Sequence, residues 1–72
     1  MMKDDQRTSA VLGRAVRAAR QERGWSQEEL GRRSGLSRPT IARIERGDDI
    51  STATLSKAAK ALGLAIRVES DG

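Results

Sequence analysis

The apolar positions of the chain follow a helical period over most of its length. Between Ser9 and Arg23 they fall on one side of a helix, at Leu12, Ala15, Val16 and Ala19. Side chains three and four positions apart share a helix face, so this spacing predicts a first amphipathic helix. Gly24 follows and can take the left-handed conformation that ends helices. Residues 1–8 lack apolar periodicity, and we expect them to form a flexible N-terminal arm.

A second and a third helix follow, joined by a tight turn. The segment SQEE predicts a capping box, in which the Ser26 hydroxyl accepts from the backbone N–H of Glu29 while the Glu29 side chain reaches back. The second helix must be short, because Gly35 arrives only nine residues after Ser26. The segment SGLS supplies a glycine-containing turn of the kind that joins two helices at a steep angle. Ser37 then caps a third helix, and Pro39 fits its first turn, where a missing N–H breaks no intrahelical bond.

The third helix has two faces of opposite character. At about 100° per residue, Ile41 and Ile44 point towards the interior. The opposite face carries arginines with small residues between them, namely Arg38, Pro39, Ala42, Arg43 and Arg46. The small residues would let the helix come close to a surface, and the arginines would reach past them.

The end of the chain changes period. Apolar spacing predicts a fourth helix that ends at Gly63, with Leu55, Ala58, Ala59 and Leu62 on its apolar side. Residues 64–69 alternate instead, which is a strand pattern, with Leu64, Ile66 and Val68 on one face. A lone strand leaves its backbone groups unpaired, and nothing else in the sequence can pair with it. We therefore expect a dimerisation strand that pairs with a second copy, followed by a tail at 70–72; the alternative is a frayed end or an added helical turn.

Composition restricts the classes of function. The chain has 72 residues, enough for one small domain, and contains neither Cys nor His. This removes disulfides, structural zinc and most acid-base or nucleophilic arrangements, so we expect no enzyme, no metal and no cofactor. No apolar run is long enough to span a membrane and no signal peptide is evident, so we expect a cytoplasmic protein.

The positive charge is regional. The net charge is +4, but between Arg14 and Arg46 nine Arg face only four Glu. Eleven of the fourteen basic residues are Arg, whose planar fork suits phosphate and guanine edges better than Lys does. The alternative interpretation is a basic surface that only water contacts.

These elements together resemble a known family. The segment RAARQERGWSQEELGRRSGLSRPTIARIERG is similar to the Cro/cI, or Xre-type, helix-turn-helix family of DNA-binding domains, and TLSKAAKALGL continues the match through the fourth helix. The resemblance implies an all-α fold: a lambda-repressor-like bundle of four to five helices over residues 9–63 that contains the helix-turn-helix, followed by the short C-terminal strand.

The family resemblance also implies which residues contact DNA. Base contacts are expected from the start of the third helix, at Arg38, Pro39, Thr40 and Arg43. Arg can donate two hydrogen bonds to a guanine, whereas Pro39 has no donor and is expected to touch a thymine methyl or nothing. Phosphate contact or solvation is the alternative for both arginines, and phosphate contact is the alternative for Thr40.

Further roles follow from the same resemblance. Phosphate contacts are expected from the helix starts and from the end of the third helix, at Ser26, Gln27, Ser37 and Arg46. Arg20 and Glu45 are expected to form a structural ion pair between the first and third helices. Gly31 stands where the family usually has Ala, and a small residue there allows close packing.

The expected function is that of a dimeric transcriptional repressor on an inverted-repeat DNA operator. The chain end, ALGL followed by a strand, also resembles the HipB-type antitoxins. This resemblance implies an antitoxin that represses its own operon and binds a toxin protein, such as a HipA-type kinase. Two alternatives remain at this point: a phage-type or stand-alone Xre regulator without a toxin, and a helical protein-interaction adaptor whose basic face meets an acidic partner.

Overall fold

The computed structural model describes residues 4–64, which form four α-helices. They are α1 (Asp4–Glu22), α2 (Gln27–Ser34), α3 (Arg38–Arg46) and α4 (Thr52–Ala61). Each of the last three helices begins after a serine whose hydroxyl accepts the backbone N–H three residues on, which satisfies one of the unpaired donors at a helix start. These capping serines are Ser26, Ser37 and Ser51. The predicted order of helices is therefore confirmed within these residues.

The first helix begins earlier than the sequence pattern predicted. It starts at Asp4, so the residues from Asp4 to Thr8 are helical and do not belong to an arm. Apolar periodicity marks only the part of a helix that packs on the core, whereas a helix already nucleated extends by one backbone hydrogen bond per added residue. The boundary at Ser9 was therefore too late. Residues 1–3 lie outside the described residues.

The capping box forms only in part. The Ser26 hydroxyl accepts from the Glu29 N–H at 3.0 Å, as predicted. The Glu29 carboxylate, however, pairs with the arginines of its own helix, receiving the Arg32 Nε–H at 2.8 Å and lying 3.5 Å from Arg33 Nη2. Two guanidinium groups one turn away outcompete a backbone amide for this carboxylate, because charge-assisted hydrogen bonds are the stronger ones.

The core lies among all four helices, where α3 packs against α1 and α2, and α2 packs against α4. Its buried members come from all four helices: Val16, Ala19, Leu30, Ile41, Ile44, Leu55, Ala58 and Leu62. Ala15, which the sequence pattern placed on the core side of α1, is exposed, whereas Gly13 is buried. Gly13 is buried because α3 packs closely on it: an added Cβ would lie 2.2 Å from the Ile44 carbonyl oxygen.

The turn between α2 and α3 fixes the angle of the helix-turn-helix. Gly35 takes the left-handed conformation at φ 73°, and its N–H donates to the Gly31 carbonyl. The Leu36 N–H donates to the same carbonyl at 2.9 Å, and the Leu36 side chain packs against the core. A Cβ on Gly31 would lie 2.7 Å from the Leu36 carbonyl oxygen, so the turn itself requires the glycine at this position.

The predicted strand lies almost wholly beyond the described part of the chain. Leu64 follows α4 without regular structure and is 37% exposed. Ile66 and Val68, the other residues predicted to dimerise the chain, lie outside the described residues. Residues 4–64 contain no strand. The all-α fold is thus confirmed for this part of the chain, and dimerisation through the strand stays a prediction.

Candidate nucleic-acid interface

The solvent face of α3 presents most of the residues predicted to read bases. Arg38, Pro39 and Arg43 are exposed, while Ile41 and Ile44 on the other side are 0% and 1% exposed. The helix can take this arrangement because its apolar residues recur at i and i+3, which leaves a wide polar arc facing outwards. The structure therefore brings three of the four predicted base-contacting residues onto one open surface.

Thr40, the fourth of these residues, is engaged in the helix cap. Its backbone N–H donates to the Ser37 hydroxyl at 3.3 Å, and the two hydroxyl oxygens are 2.8 Å apart. The side chain is half-buried. Each hydroxyl retains further capacity for hydrogen bonding. Ser37 and Thr40 thus form one small cluster at the N-terminus of α3, the positive end of the helix dipole.

The start of α2 lies near the end of α3. Gln27, predicted to contact phosphate, is half-buried, and its Nε2 donates to Glu45 Oε1 at 3.3 Å. A primary amide has two N–H donors, so the Gln27 side chain uses one within the protein and keeps the second for a ligand. Ser26 is exposed, with its hydroxyl accepting from the backbone of α2. The structure brings Gln27 and the C-terminal half of α3 together.

Arg20 and Glu45 join α1 to α3 in an ion pair. Arg20 Nε lies 2.6 Å from Glu45 Oε2, and Arg20 Nη2 donates to Oε1 at 2.9 Å. The remaining nitrogen, Nη1, donates to the Trp25 carbonyl at 2.8 Å. The two side chains are 12% and 5% exposed, and the hydrogen bond from Arg20 to Glu45 raises the pKa of Arg20. A bidentate pair of this kind fixes orientation as well as distance, so it holds α3 against α1 and the loop.

A groove between the first three helices contains an arginine that the sequence did not single out. Arg17, Gln27 and Arg46 line it, together with Ala42 and the buried pair. Arg17 is exposed and stands one turn before Arg20 on α1. Three donors from three helices therefore converge on one opening. In the sequence, Arg17 lies among the polar positions of α1, and no local pattern indicates that this side of the helix meets α3.

Asp48, which no sequence pattern identified as functional, lies beside two of the residues predicted to contact DNA, Arg43 and Arg46. Asp48 Oδ2 is 2.7 Å from Arg46 Nη2 and 3.6 Å from Arg43 Nε. The hydrogen bond from Arg46 to Asp48 holds the pKa of this carboxyl below its usual value and raises the pKa of Arg46. Two of the arginines predicted to contact DNA thus share one internal carboxylate.

Two further features are absent from the described part of the chain. Residues 4–64 contain no group of three or more acidic, His or Cys side chains placed to hold a metal ion. No helix among them is both long and apolar enough to cross a membrane.

Comparison with known sequences agrees with the helix-turn-helix geometry. The model of the family described as helix-turn-helix matches residues 16–68. A hypothetical transcription factor of Neisseria meningitidis is 43% identical over 63 residues, which cover 86% of this chain and 59% of the relative. Antitoxin HipB of Escherichia coli K12 is 37% identical over 43 residues, covering 60% of this chain and 49% of HipB. The chain thus spans about half to three fifths of the length of these relatives.

Comparison with solved structures gives the same result. The crystal structure of the hypothetical transcription factor NHTF from Neisseria superposes with a TM-score of 0.76 at 41% identity, over 90% of this chain and 76% of the other. A chain of the HipA–HipB–O2–O3 complex superposes with a TM-score of 0.74 at 28% identity, over 89% of this chain and 92% of the other.

The family predicted from the sequence is confirmed by these matches. The family match extends over both helices of the turn and over α4, and the similar proteins include a hypothetical transcription factor and an antitoxin. The chain belongs to the helix-turn-helix family, whose members are DNA-binding regulators of transcription and not enzymes.

Proposed function

We propose that the protein is a sequence-specific transcriptional repressor that lays the exposed face of α3 in the major groove of its operator. One observation carries this proposal: Arg38 and Arg43 are held outwards on a helix whose opposite face, at Ile41 and Ile44, is fully buried. The B-DNA major groove admits one α-helix, and arginines on its open face reach base edges.

Base reading is assigned to the start of α3. Arg38 and Arg43 each donate a bidentate pair to guanine O6 and N7, which is worth about 1–3 kcal/mol of discrimination per base. Pro39 is exposed between them and offers an apolar contact to a thymine methyl. Thr40 shares its hydroxyl with Ser37, so its contact with a base or a phosphate uses the capacity that the cap leaves over.

Phosphate contacts are assigned to the helix starts and to the groove beside α3. Ser26 and Ser37 stand at the starts of α2 and α3, where backbone N–H groups and the helix dipole attract anions. Gln27 and Arg46 line the groove between the helices, and Arg17 joins them there. The donors of the groove lie beside α3, so a phosphate held there would fix the depth of the recognition helix in the duplex.

Dimerisation gives the operator its symmetry. The exposed Leu64 and the apolar alternation that continues at Ile66 and Val68 support a strand that pairs with its copy across a twofold axis. Two α3 helices related in this way would enter successive major grooves about 34–36 Å apart, on an inverted repeat.

The similarity to HipB supports a further role as the antitoxin of a toxin-antitoxin operon. In that setting the dimer represses its own promoter and binds a toxin, for which a HipA-type kinase is the expected class. The test is coexpression with the product of the adjacent gene: an antitoxin copurifies with that product and restores growth, whereas a stand-alone regulator does neither.

Selection of bound sequences from a pool of random duplexes tests the DNA-binding role. A repressor of this kind enriches an inverted repeat whose half-sites are centred about 10 base pairs apart or a multiple of that spacing. A protein-interaction adaptor enriches no sequence and binds random duplex weakly even at low salt. Enrichment of a single asymmetric site would refute the dimer and retain base reading.

A further inference from the structure

Asp48 is fixed in position by the end of α3. Gly47 takes the left-handed conformation at φ 89°, and its N–H donates to the Ile44 carbonyl at 3.0 Å. The Asp48 N–H donates to the Arg43 carbonyl at 3.1 Å, which completes a Schellman cap. The backbone that carries this carboxylate is therefore tied to the helix that carries the arginines.

The carboxylate contacts the two arginines at different distances. Arg46 gives it both Nη2, at 2.7 Å, and Nε, at 3.4 Å, so the side edge of that guanidinium is occupied. The Arg43 nitrogen nearest to the carboxylate is Nε, at 3.6 Å, which is longer than a hydrogen bond, so Asp48 does not occupy the terminal nitrogens of Arg43. Arg46 and Arg43 keep 66% and 55% of their side chains exposed, and Asp48 keeps 35%.

The contacts of Asp48 with Arg46 and Arg43 have different effects on the binding of phosphate and of guanine. A phosphate that approaches Arg46 meets a guanidinium already paired, and it is repelled by the carboxylate beside it. A guanine that approaches Arg43 meets two terminal nitrogens that Asp48 does not hold, and these can donate to O6 and N7; guanine also carries no net charge for the carboxylate to repel.

We propose that Asp48 is a specificity-determining residue of the DNA interface: an internal counter-ion that competes with phosphate for Arg46 while it orients Arg43 towards bases. This inference rests on the proposed DNA-binding function. Asp48 opposes the phosphate contact of Arg46 on random duplex and on an operator alike, because that contact does not depend on sequence. Only an operator offers the guanine that the oriented Arg43 reads, so Asp48 raises the ratio of operator affinity to random-duplex affinity.

The chain offers a matched control in the next residue. Asp49 is exposed, and no ion pair of the described residues involves it. D48N and D49N therefore change the net charge equally and at nearly the same place, so any difference between them reports the contacts with the arginines. D48E keeps the charge and tests whether the carboxylate must stand at its present distance.

The experiment compares wild type, D48N, D49N and D48E on two probes: the duplex that the wild-type chain selects from a random pool, and a duplex of scrambled sequence. Dissociation constants are measured over a series of salt concentrations, and circular dichroism checks that each variant is helical. For D48N we expect the affinity for scrambled duplex to rise by up to about fivefold per chain, the range of an exposed ion pair. We also expect a salt dependence steeper by about 0.9 per chain on that probe, since one more phosphate is bound.

The ratio of the two affinities decides the inference. D48N should lower the ratio of selected to scrambled binding more than D49N does, and D48E should keep more of the wild-type ratio than D48N. Equal ratios for D48N and D49N would overturn the role of Asp48 while the wild-type preference for its selected duplex upheld the DNA-binding function. A wild-type chain that shows no preference for any duplex would overturn both.

Discussion

The ion pair between Arg20 and Glu45 offers a quantitative test of how α3 is held in position. Replacing Arg20 by Met keeps most of the aliphatic stem and removes the guanidinium. The substitution deletes the contacts at 2.6 and 2.9 Å to Glu45 and the bond at 2.8 Å to the Trp25 carbonyl. Glu45, only 5% exposed, then keeps a single amide donor from Gln27 at 3.3 Å.

The cost follows from the charge left behind. Breaking a buried pair by removing one partner costs about 3–5 kcal/mol, and the partial exposure of this pair favours the lower end, about 3 kcal/mol for Arg20→Met. Glu45→Met should cost less, about 2 kcal/mol, because Arg20 keeps the Trp25 carbonyl and is 12% exposed. The double variant should be more stable than Arg20→Met, since it leaves no unpaired charge.

A chain of 72 residues has about 4–11 kcal/mol of stability in total, so a loss of this size is large. Guanidinium denaturation at one protein concentration measures the free energy of unfolding, with far-ultraviolet circular dichroism and the fluorescence of Trp25, the single tryptophan, as probes. Arg32→Met is the control: Arg32 pairs with Glu29 but is 77% exposed, so its removal should cost less than about 1 kcal/mol.

Two results would refute this reasoning. The first is a free energy of unfolding for Arg20→Met within about 1 kcal/mol of the Arg32→Met value. The second is additivity, with the double variant losing the sum of the two single losses, since residues that act as a pair do not add.

Further predictions concern base reading, packing and acid stability. Replacing Arg38 and Arg43 by Ala should abolish selection from a random duplex pool while circular dichroism and thermal unfolding stay close to wild type; retained selection would refute the assignment of base contacts. Gly13→Ala should destabilise the chain by about 1–3 kcal/mol in denaturant, because the clash at 2.2 Å with the Ile44 carbonyl outweighs the gain in helix propensity, and a stabilised variant would contradict that packing. Because Arg32 lowers the pKa of the Glu29 carboxyl from its ordinary 4.5, the stability it contributes is complete above that pH and is lost as the pH falls through the lowered value. Glu29→Gln should therefore show a shallower loss of stability on acidification than wild type, and an unchanged acid limb would exclude the pair as its cause.

The sequence was informative wherever a local pattern determined the structure. The serine caps, the glycine turn at Gly35 and the buried Ile41 and Ile44 each follow from residues within one turn of one another, and the structure agrees with all of them. The ion pair of Arg20 with Glu45, in contrast, could be predicted only from the family resemblance, because the two residues are 25 positions apart in the sequence.

The remaining features depend on how the helices pack, which no local pattern records. Gly13 is buried because α3 packs closely against α1 at this position, whereas Ala15 is exposed. The same packing brings Arg17 to the groove beside Gln27. The role of Asp48 could not be predicted, because a carboxylate in an exposed turn is usually solvated. The backbone cap at the end of α3 places this carboxylate against two arginines, and only the structure shows that cap.

The central claim, that the exposed face of α3 reads guanines in the major groove, is tested most directly by methylation of guanine N7 on the selected duplex. Bound protein should protect guanines in both half-sites from methylation, because the arginines cover N7. The Arg43→Ala chain, at a concentration that saturates the duplex, should restore reactivity at one guanine per half-site and leave the others protected. Full reactivity of every guanine under saturating wild-type protein, or a pattern that Arg43→Ala and Arg38→Ala both leave unchanged, would contradict the claim.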